Sequence, residues 1–105
     1  MSIKKLNGSS VEVNDEGFMT VPEQWNEQIA HAIAKEEGIG DLSERHWKII
    51  NFLREDYKDK GAVPSIRRLK SAGNIPTKDL YDLFPEGPLK KASKIAGLPK
   101  PASCV

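Results

Sequence analysis

The residue of this 105-residue chain best suited to covalent chemistry is Cys104, its only cysteine. One cysteine cannot form an internal disulfide, and a thiol near a chain end is placed to enter a pocket of another protein. Pro99 and Pro101 precede it and favour an extended backbone over residues 98–105. From its position alone, Cys104 fits an accidental cysteine in a frayed tail equally well. We predict a reactive thiol on a mobile C-terminal arm, residues 98–105.

The charges around Cys104 bear on its reactivity. A thiol reacts as the thiolate, and the adjacent carboxylate of Val105 disfavours that anion by like-charge repulsion. Activation therefore requires a cation. Lys100 is the nearest in sequence, and Arg67 lies in a basic C-terminal half. We expect a thiol that becomes nucleophilic only when a cationic pocket of this protein or of a partner surrounds it.

Other residue patterns give weaker indications of chemistry. His31 and His46 lie on different predicted helices, and no cluster of cysteine, histidine or carboxylate has the spacing of metal ligands. The chain also lacks the glycine-rich phosphate loop and the nucleophile elbow. We therefore expect no metal, no cofactor and no self-contained enzyme.

The charge distribution raises DNA binding as an alternative. Residues 1–60 hold 8 Lys/Arg and 12 Asp/Glu, whereas residues 61–105 hold 8 and 3. The segments 63–70 and 77–81 have the pattern of a helix-turn-helix, which places a helix in a DNA groove. Asp79, Asp82 and Glu86 on or after the second segment repel phosphate, so a solvated basic face on a helical bundle is the favoured interpretation.

The remaining pattern predicts a mainly α fold. Asn7-Gly8 between two alternating runs predicts a short β-hairpin. Helical spacing and stop signals predict five helices. The first covers 22–37, and the second, which runs from the cap Ser43 to Gly61, is the central helix. The other three cover 65–72, the stretch between Pro76 and Pro85, and 88–96. Short helices with tight turns predict an orthogonal bundle with a helix-turn-helix-like core.

Domain organisation and location follow from the same pattern. We expect one domain over residues 1–97, followed by the mobile arm over 98–105. No apolar run reaches the roughly 20 residues that span a bilayer, and the N-terminus lacks the apolar stretch of a signal peptide. The expected location is the cytoplasm, without membrane insertion.

Several motifs make the chain similar to a known family. The segments 80–88 (LYDLFPEGP) and 94–101 (KIAGLPKP), together with Cys104-Val105, resemble the DsrC/TusE family. Residues 15–18, 46–54 and 64–67 extend the resemblance over nearly the whole chain. The resemblance implies a small helical domain with an N-terminal hairpin and a flexible arm whose cysteine carries sulfur.

The resemblance also assigns roles to individual residues. It makes Cys104 the sulfur-accepting cysteine, and Arg67 and Lys100 the cations near the docked arm. In DsrC a second cysteine lies eleven residues upstream, and the two are joined through sulfite-derived sulfur as a trisulfide. Here that position is Ser93, so no such internal bond can form. The sequence leaves open whether Ser93 is natural or engineered.

Three functions stay open, two from the resemblance and the difference at Ser93, and the third from the helix-turn-helix-like pattern with Cys104 as a sulfur-sensing switch. The first is that of the single-cysteine members such as TusE, a sulfurtransferase-type relay that carries a persulfide between donor and acceptor proteins for thiolation of tRNA. The second is a DsrC-type partner of dissimilatory sulfite reductase that lacks the second cysteine, and the loop between Leu69 and Leu80 resembles the shorter DsrC form. The third is a sulfur-responsive regulator that binds DNA.

Overall fold

The computed structural model of the chain describes residues 2–6 and 8–101, so Cys104 lies outside the described residues. The chain begins with two antiparallel strands, β1 (Ser2–Leu6) and β2 (Ser9–Val13). Leu6 pairs with Ser9, which leaves the two-residue connection expected of the hairpin. Leu6, Val11 and Val13 are buried, so one face of the hairpin covers the helical core.

A tight turn follows the hairpin and brings two more side chains into the core. The side-chain oxygen of Asn14 accepts hydrogen bonds from the backbone amides of Glu16 and Phe18, each at 3.0 Å. Asn and Asp stabilise turns in this way by replacing a backbone acceptor. The turn places Phe18 and Met19 inside the core, where they are 2% and 1% exposed.

The first predicted helix, 22–37, is in fact two elements. A 3₁₀ helix covers Pro22–Gln24, and α1 covers Glu27–Glu36. The break occurs because Asn26 adopts an extended backbone, and its side chain accepts a hydrogen bond from the Ile29 amide at 2.9 Å. Such an N-cap satisfies a helix donor that would otherwise have no partner. Trp25 therefore precedes α1 instead of lying on its apolar stripe.

The next three helices begin close to the predicted positions. Ser43 caps α2 (Glu44–Lys60) together with His46, and Gly61 ends the helix with a φ of 75°. Ser65 caps α3 (Ile66–Ser71), and α4 (Thr77–Leu83) follows Pro76. The mainly helical fold with its N-terminal hairpin is thus confirmed.

The last helix, α5 (Pro88–Ile95), packs in the middle of the bundle beside α2, the predicted central helix, whose Ile49, Ile50 and Leu53 are also buried. α5 packs against α1, α2 and α4. It can do so because its side chains are buried on several sides, including Leu89, Ala92, Ser93 and Ile95. No helix among residues 2–6 and 8–101 is long and apolar enough to cross a membrane.

An ion pair between the buried Asp56 and the partly exposed Arg68 joins α2 to α3. Arg68 donates from Nε to both carboxylate oxygens of Asp56 at 2.9 Å, and from Nη2 to one of them at 2.7 Å. Asp56 is only 7% exposed, so its charge depends on this partner. The hydrogen bond from Arg68 lowers the pKa of Asp56 below its ordinary value.

This pair predicts a pH-dependent stability. Because the folded-state pKa is lowered, the contribution of Asp56 is complete above the ordinary Asp pKa of about 3.9 and is lost as the pH falls through the lower folded value. Asp56→Asn should lower the melting temperature at pH 7 by about 5 °C, and by less at pH 2 to 3. Circular dichroism melts at both pH values measure this. Asp59→Asn, at an exposed site on the same helix, is the control, and equal losses at both pH values would contradict the prediction.

Candidate functional site

The arm root, residues 97–101, leaves the domain through a defined turn at the end of α5. Gly97 adopts a φ of 73°, a conformation that favours glycine. The Leu98 amide donates to the Ser93 carbonyl at 3.0 Å, and the Gly97 amide donates to the Lys94 carbonyl at 3.1 Å. This pair of bonds is the Schellman motif, which ends a helix and fixes the direction of the following chain.

Two side chains from distant elements cap the remaining carbonyls of α5. Trp25 donates from Nε1 to the Ile95 carbonyl at 2.8 Å, and Arg54 donates from Nη1 to the Ala96 carbonyl at 2.7 Å. A helix leaves its last four carbonyls without intrahelical partners. In α5 the carbonyls of residues 93 and 94 bond to the turn, and those of 95 and 96 bond to Trp25 and Arg54. All four are therefore satisfied.

Trp25 and Arg54 also contact each other. The Arg54 guanidinium lies 3.9 Å from the centre of a Trp25 ring, a favourable cation–π geometry. Partial burial lowers the pKa of Arg54, and within the described residues no carboxylate forms an ion pair with it. A Cβ atom at Gly97 would lie 2.4 Å from Trp25 Cδ1. The ring thus leaves room only for glycine at the turn. We refer to Trp25 and Arg54 as the carbonyl clamp.

Sequence reasoning missed the carbonyl clamp. It assigned Trp25 to the apolar stripe of the first helix, and it treated Arg54 only as one residue of the 46–54 motif. A partial signal exists in the sequence, because Arg54 directly follows Leu53, one of the apolar residues at helical spacing in the predicted second helix. The partners of these side chains lie 70 and 42 residues away, and local spacing does not reveal such distant pairs.

The described part of the arm lies against the domain. Leu98 is 2% exposed, and Pro101 is also buried. The mobility of the arm beyond Pro101, and the environment of Cys104 itself, fall outside the described residues. Cys104 follows Pro101 by three residues, so its Cα lies within about 10 Å of that of Pro101.

The two predicted cations have different surroundings. Lys100 is exposed in the arm root and pairs with Glu16 at 3.0 Å, which joins the root to the turn after the hairpin. Arg67 is exposed on α3, and it makes no ion pair or side-chain hydrogen bond with the described residues. Their action on Cys104 stays a prediction. Arg68, the neighbour of Arg67, is occupied by Asp56.

Ser93, the position of the missing second cysteine, is completely buried on α5. Its hydroxyl oxygen has no hydrogen-bond partner among the described residues, although its backbone carbonyl bonds to Leu98. A buried hydroxyl without a partner costs stability, because it loses its bonds to water without replacement. The core thus has room for a side chain of this size but provides no hydrogen-bond partner for its hydroxyl.

A groove of about 630 Å³ opens beside the arm root. Arg54, Lys58, Tyr57 and Leu98 are among the residues that line it, together with two glutamates, Glu23 and Glu55. Its charges are therefore mixed. Within residues 2–6 and 8–101 no cluster of three or more histidines and carboxylates is arranged to hold a metal ion.

These features define a small helical domain that carries its one thiol three residues beyond a fixed root. Comparison with known proteins gives the family. A family model described as DsrC-like protein matches residues 5–105. The chain belongs to this family, as the resemblance in its motifs implied.

Relatives from both branches of the family are similar to the chain. It is 43% identical to a sulfurtransferase TusE homologue of Haemophilus influenzae, with 95% of this chain and 97% of the relative covered. It is also 43% identical to the gamma subunit of the dissimilatory-type sulfite reductase of Nitratidesulfovibrio vulgaris, with 93% of each covered. The 109-residue alignment with the TusE homologue is longer than the part of this chain that it covers, so it contains gaps.

Solved structures agree with this assignment. The crystal structure of the protein called dissimilatory sulfite reductase I (DsrI) has a TM-score of 0.87 and 40% identity, and the match covers 99% of this chain and 100% of the other. The NMR structure of Allochromatium vinosum DsrC has a TM-score of 0.83 and 39% identity, with 98% and 97% covered. Sequence identity and fold therefore place the chain in the family but do not separate its branches.

The state of Ser93 predicts a stabilising substitution. Ser93→Ala removes the buried hydroxyl that has no partner, and we expect a gain of about 1 kcal/mol, or roughly 4–8 °C in melting temperature. Thermal and urea unfolding measure the change. Ser71→Ala, at an exposed position, is the matched control and should change stability little. A loss of stability in Ser93→Ala would mean that the hydroxyl has a partner after all.

Proposed function

We propose that the protein is a sulfur carrier that binds sulfur as a persulfide on Cys104 and passes it between partner proteins. The Cys104 thiolate attacks the terminal sulfur of a donor persulfide, R–S–SH. The donor S–S bond breaks, R–S⁻ leaves, and Cys104–S–SH forms. The sulfur keeps its oxidation state throughout, so the transfer requires no oxidant, reductant or cofactor.

The observation that carries this proposal is the combination of one cysteine with a buried Ser93 in a chain of this family. A second cysteine would allow an internal disulfide or trisulfide. A serine hydroxyl has no such redox chemistry, so sulfur accepted by Cys104 must pass to another molecule. The sulfurtransferase named among the relatives supports the same class of activity.

Activation of Cys104 by cations is part of the proposal. Lys100 is four residues before Cys104 and lies on an exposed surface, with Glu16 as its partner. Arg67 is exposed on α3 and has its charge available. We propose that one or both approach the thiolate when the arm docks, and that partner cations supply the same stabilisation during transfer.

The partners and the compartment also belong to the proposal. The donor and the acceptor are proteins of a sulfur relay, as the TusE relatives suggest, and the location is the cytoplasm, where a thiol remains reduced. DNA is not proposed as a partner. The α4 segment, which would enter a groove, carries the acidic Asp82 on its exposed face, and Asp79 pairs with Arg45.

A second candidate is a partner of dissimilatory sulfite reductase. One observation favours it. The 98-residue alignment with the Nitratidesulfovibrio gamma subunit is as long as the 93% of this chain that it covers, which indicates an alignment without gaps in this chain. The TusE alignment does contain gaps, and a loop between Leu69 and Leu80 that is shorter than in TusE would produce such gaps. If the protein has this second function, Ser93 prevents the trisulfide between two cysteines, and only the binding of sulfur to Cys104 remains.

Persulfide loading tests the first proposal. After incubation with glutathione persulfide, mass spectrometry should find a gain of about 32 Da, one sulfur atom, on the peptide that contains Cys104. Cys104→Ser should abolish the gain, and Ser103→Ala, next to it, should retain it. Sulfur on any other peptide, or none on Cys104, would overturn the proposal.

Restoring the second cysteine tests whether the arm reaches α5. Ser93→Cys treated with a mild oxidant should form an internal disulfide with Cys104, a loss of about 2 Da, because the arm can then bring two Cα atoms within about 7 Å. The unchanged chain is the control and can form only a dimer. If Ser93→Cys also yields only dimers, the arm does not bring Cys104 to position 93 of α5.

A further inference from the structure

We propose that Arg54 and Trp25, the carbonyl clamp, are positioning residues that fix the direction in which the arm leaves the domain and therefore the place where Cys104 is delivered. The inference deepens the proposed sulfur-carrier function and rests on it, because delivery matters only if Cys104 transfers sulfur. Neither side chain needs to touch the transferred sulfur.

The first argument is the supply of hydrogen-bond donors. The carbonyls of Ile95 and Ala96 bond to Trp25 and Arg54, and those of Ser93 and Lys94 bond to the turn. The backbone after the turn has few donors to replace the clamp, because Pro99 and Pro101 have no amide hydrogen. Without the clamp, two carbonyls at the start of the arm would depend on water.

The second argument is steric. Gly97 lies so close to Trp25 that a Cβ atom would be 2.4 Å from the ring. The turn therefore packs directly against the indole. A displaced ring would allow the chain after Gly97 to leave the domain in other directions. The guanidinium of Arg54 lies 3.9 Å over that ring, so each of the two side chains restricts the other.

The third argument explains why arginine is suited to this position. A planar guanidinium stacks on an aromatic face and donates in a fixed direction at the same time. Lysine keeps the charge but loses the planar stack. Lys58 lies one turn later on α2 and lines the same groove, yet it makes no hydrogen bond or ion pair within the described part of the chain. It is therefore a matched control.

Ordinary packing is the competing explanation, and the two ideas predict different measurements. A residue that only stabilises the domain lowers the melting temperature when it is replaced, but the folded protein keeps the same arm direction. A positioning residue changes the arm in molecules that remain folded. The single cysteine allows a nitroxide to be attached to Cys104 alone.

The experiment combines this label with amide NMR on the full chain. Paramagnetic broadening of domain amides maps the places that the nitroxide visits, and hydrogen exchange reports the turn amides of Gly97 and Leu98. In Arg54→Met we expect the broadening pattern to spread to new surfaces and the two amides to exchange about 3–10-fold faster, the effect of one lost hydrogen bond. Lys58→Met should match the unchanged chain.

Two further variants make the result specific. Trp25→Phe keeps an aromatic ring but loses the donor to Ile95, and it should give the same change in a protein that remains folded. Arg54→Lys should recover part of the original exchange protection. Lower melting temperatures with an unchanged broadening map and unchanged turn exchange would overturn the inference.

A parallel measurement separates this inference from the proposed function. The unlabelled variants are incubated with glutathione persulfide, and loading of Cys104 is followed by mass spectrometry. With donor in excess we expect equal final loading in all of them, because the small donor reaches the thiol in any arm direction and altered docking of the arm changes only the rate. If the unchanged chain does not load, the sulfur-carrier proposal fails, whereas a changed map in Arg54→Met would still establish the clamp as a positioning device.

Discussion

Four backbone carbonyls at the end of α5 need hydrogen-bond donors, and the way in which they are satisfied determines how the chain continues after the helix. The turn at Gly97 supplies two donors, and the carbonyl clamp supplies the other two. Because α5 also packs against α1, α2 and α4, the direction of its last turn is set relative to the whole bundle. The helical core thus acts as the base of the arm.

Signals within a few residues were sufficient to predict much of this fold. Ser43 and Gly61 bound α2, and Gly97 ends α5, because caps and left-handed glycines act on neighbouring backbone groups. The start of α1 was placed wrongly because Pro22 and Asn26 both carry start signals, and the Asn26 side chain forms the cap. Pattern alone does not decide between two such signals.

Features that depend on distant contacts could not be predicted in the same way. The clamp joins residues 70 and 42 positions apart, and the packing of α5 against three other helices also depends on distant contacts. Ser93 was identified from the family resemblance, but nothing in its neighbours indicated a hydroxyl without a partner. The chain is 43% identical to a relative from each branch, so identity does not separate the branches. The residue at position 93 does separate a chain with one cysteine from a chain with two.

The burial of Pro101 has a consequence for encounters between the protein and its partners. Cys104 follows that residue by three positions, so its Cα stays within about 10 Å of the Cα of Pro101. A short tether gives a high effective concentration of the thiol inside a small volume and none outside it. Under the proposed function, a partner would have to dock with its sulfur close to the α5 end of the domain, and surface complementarity there would govern the rate of transfer.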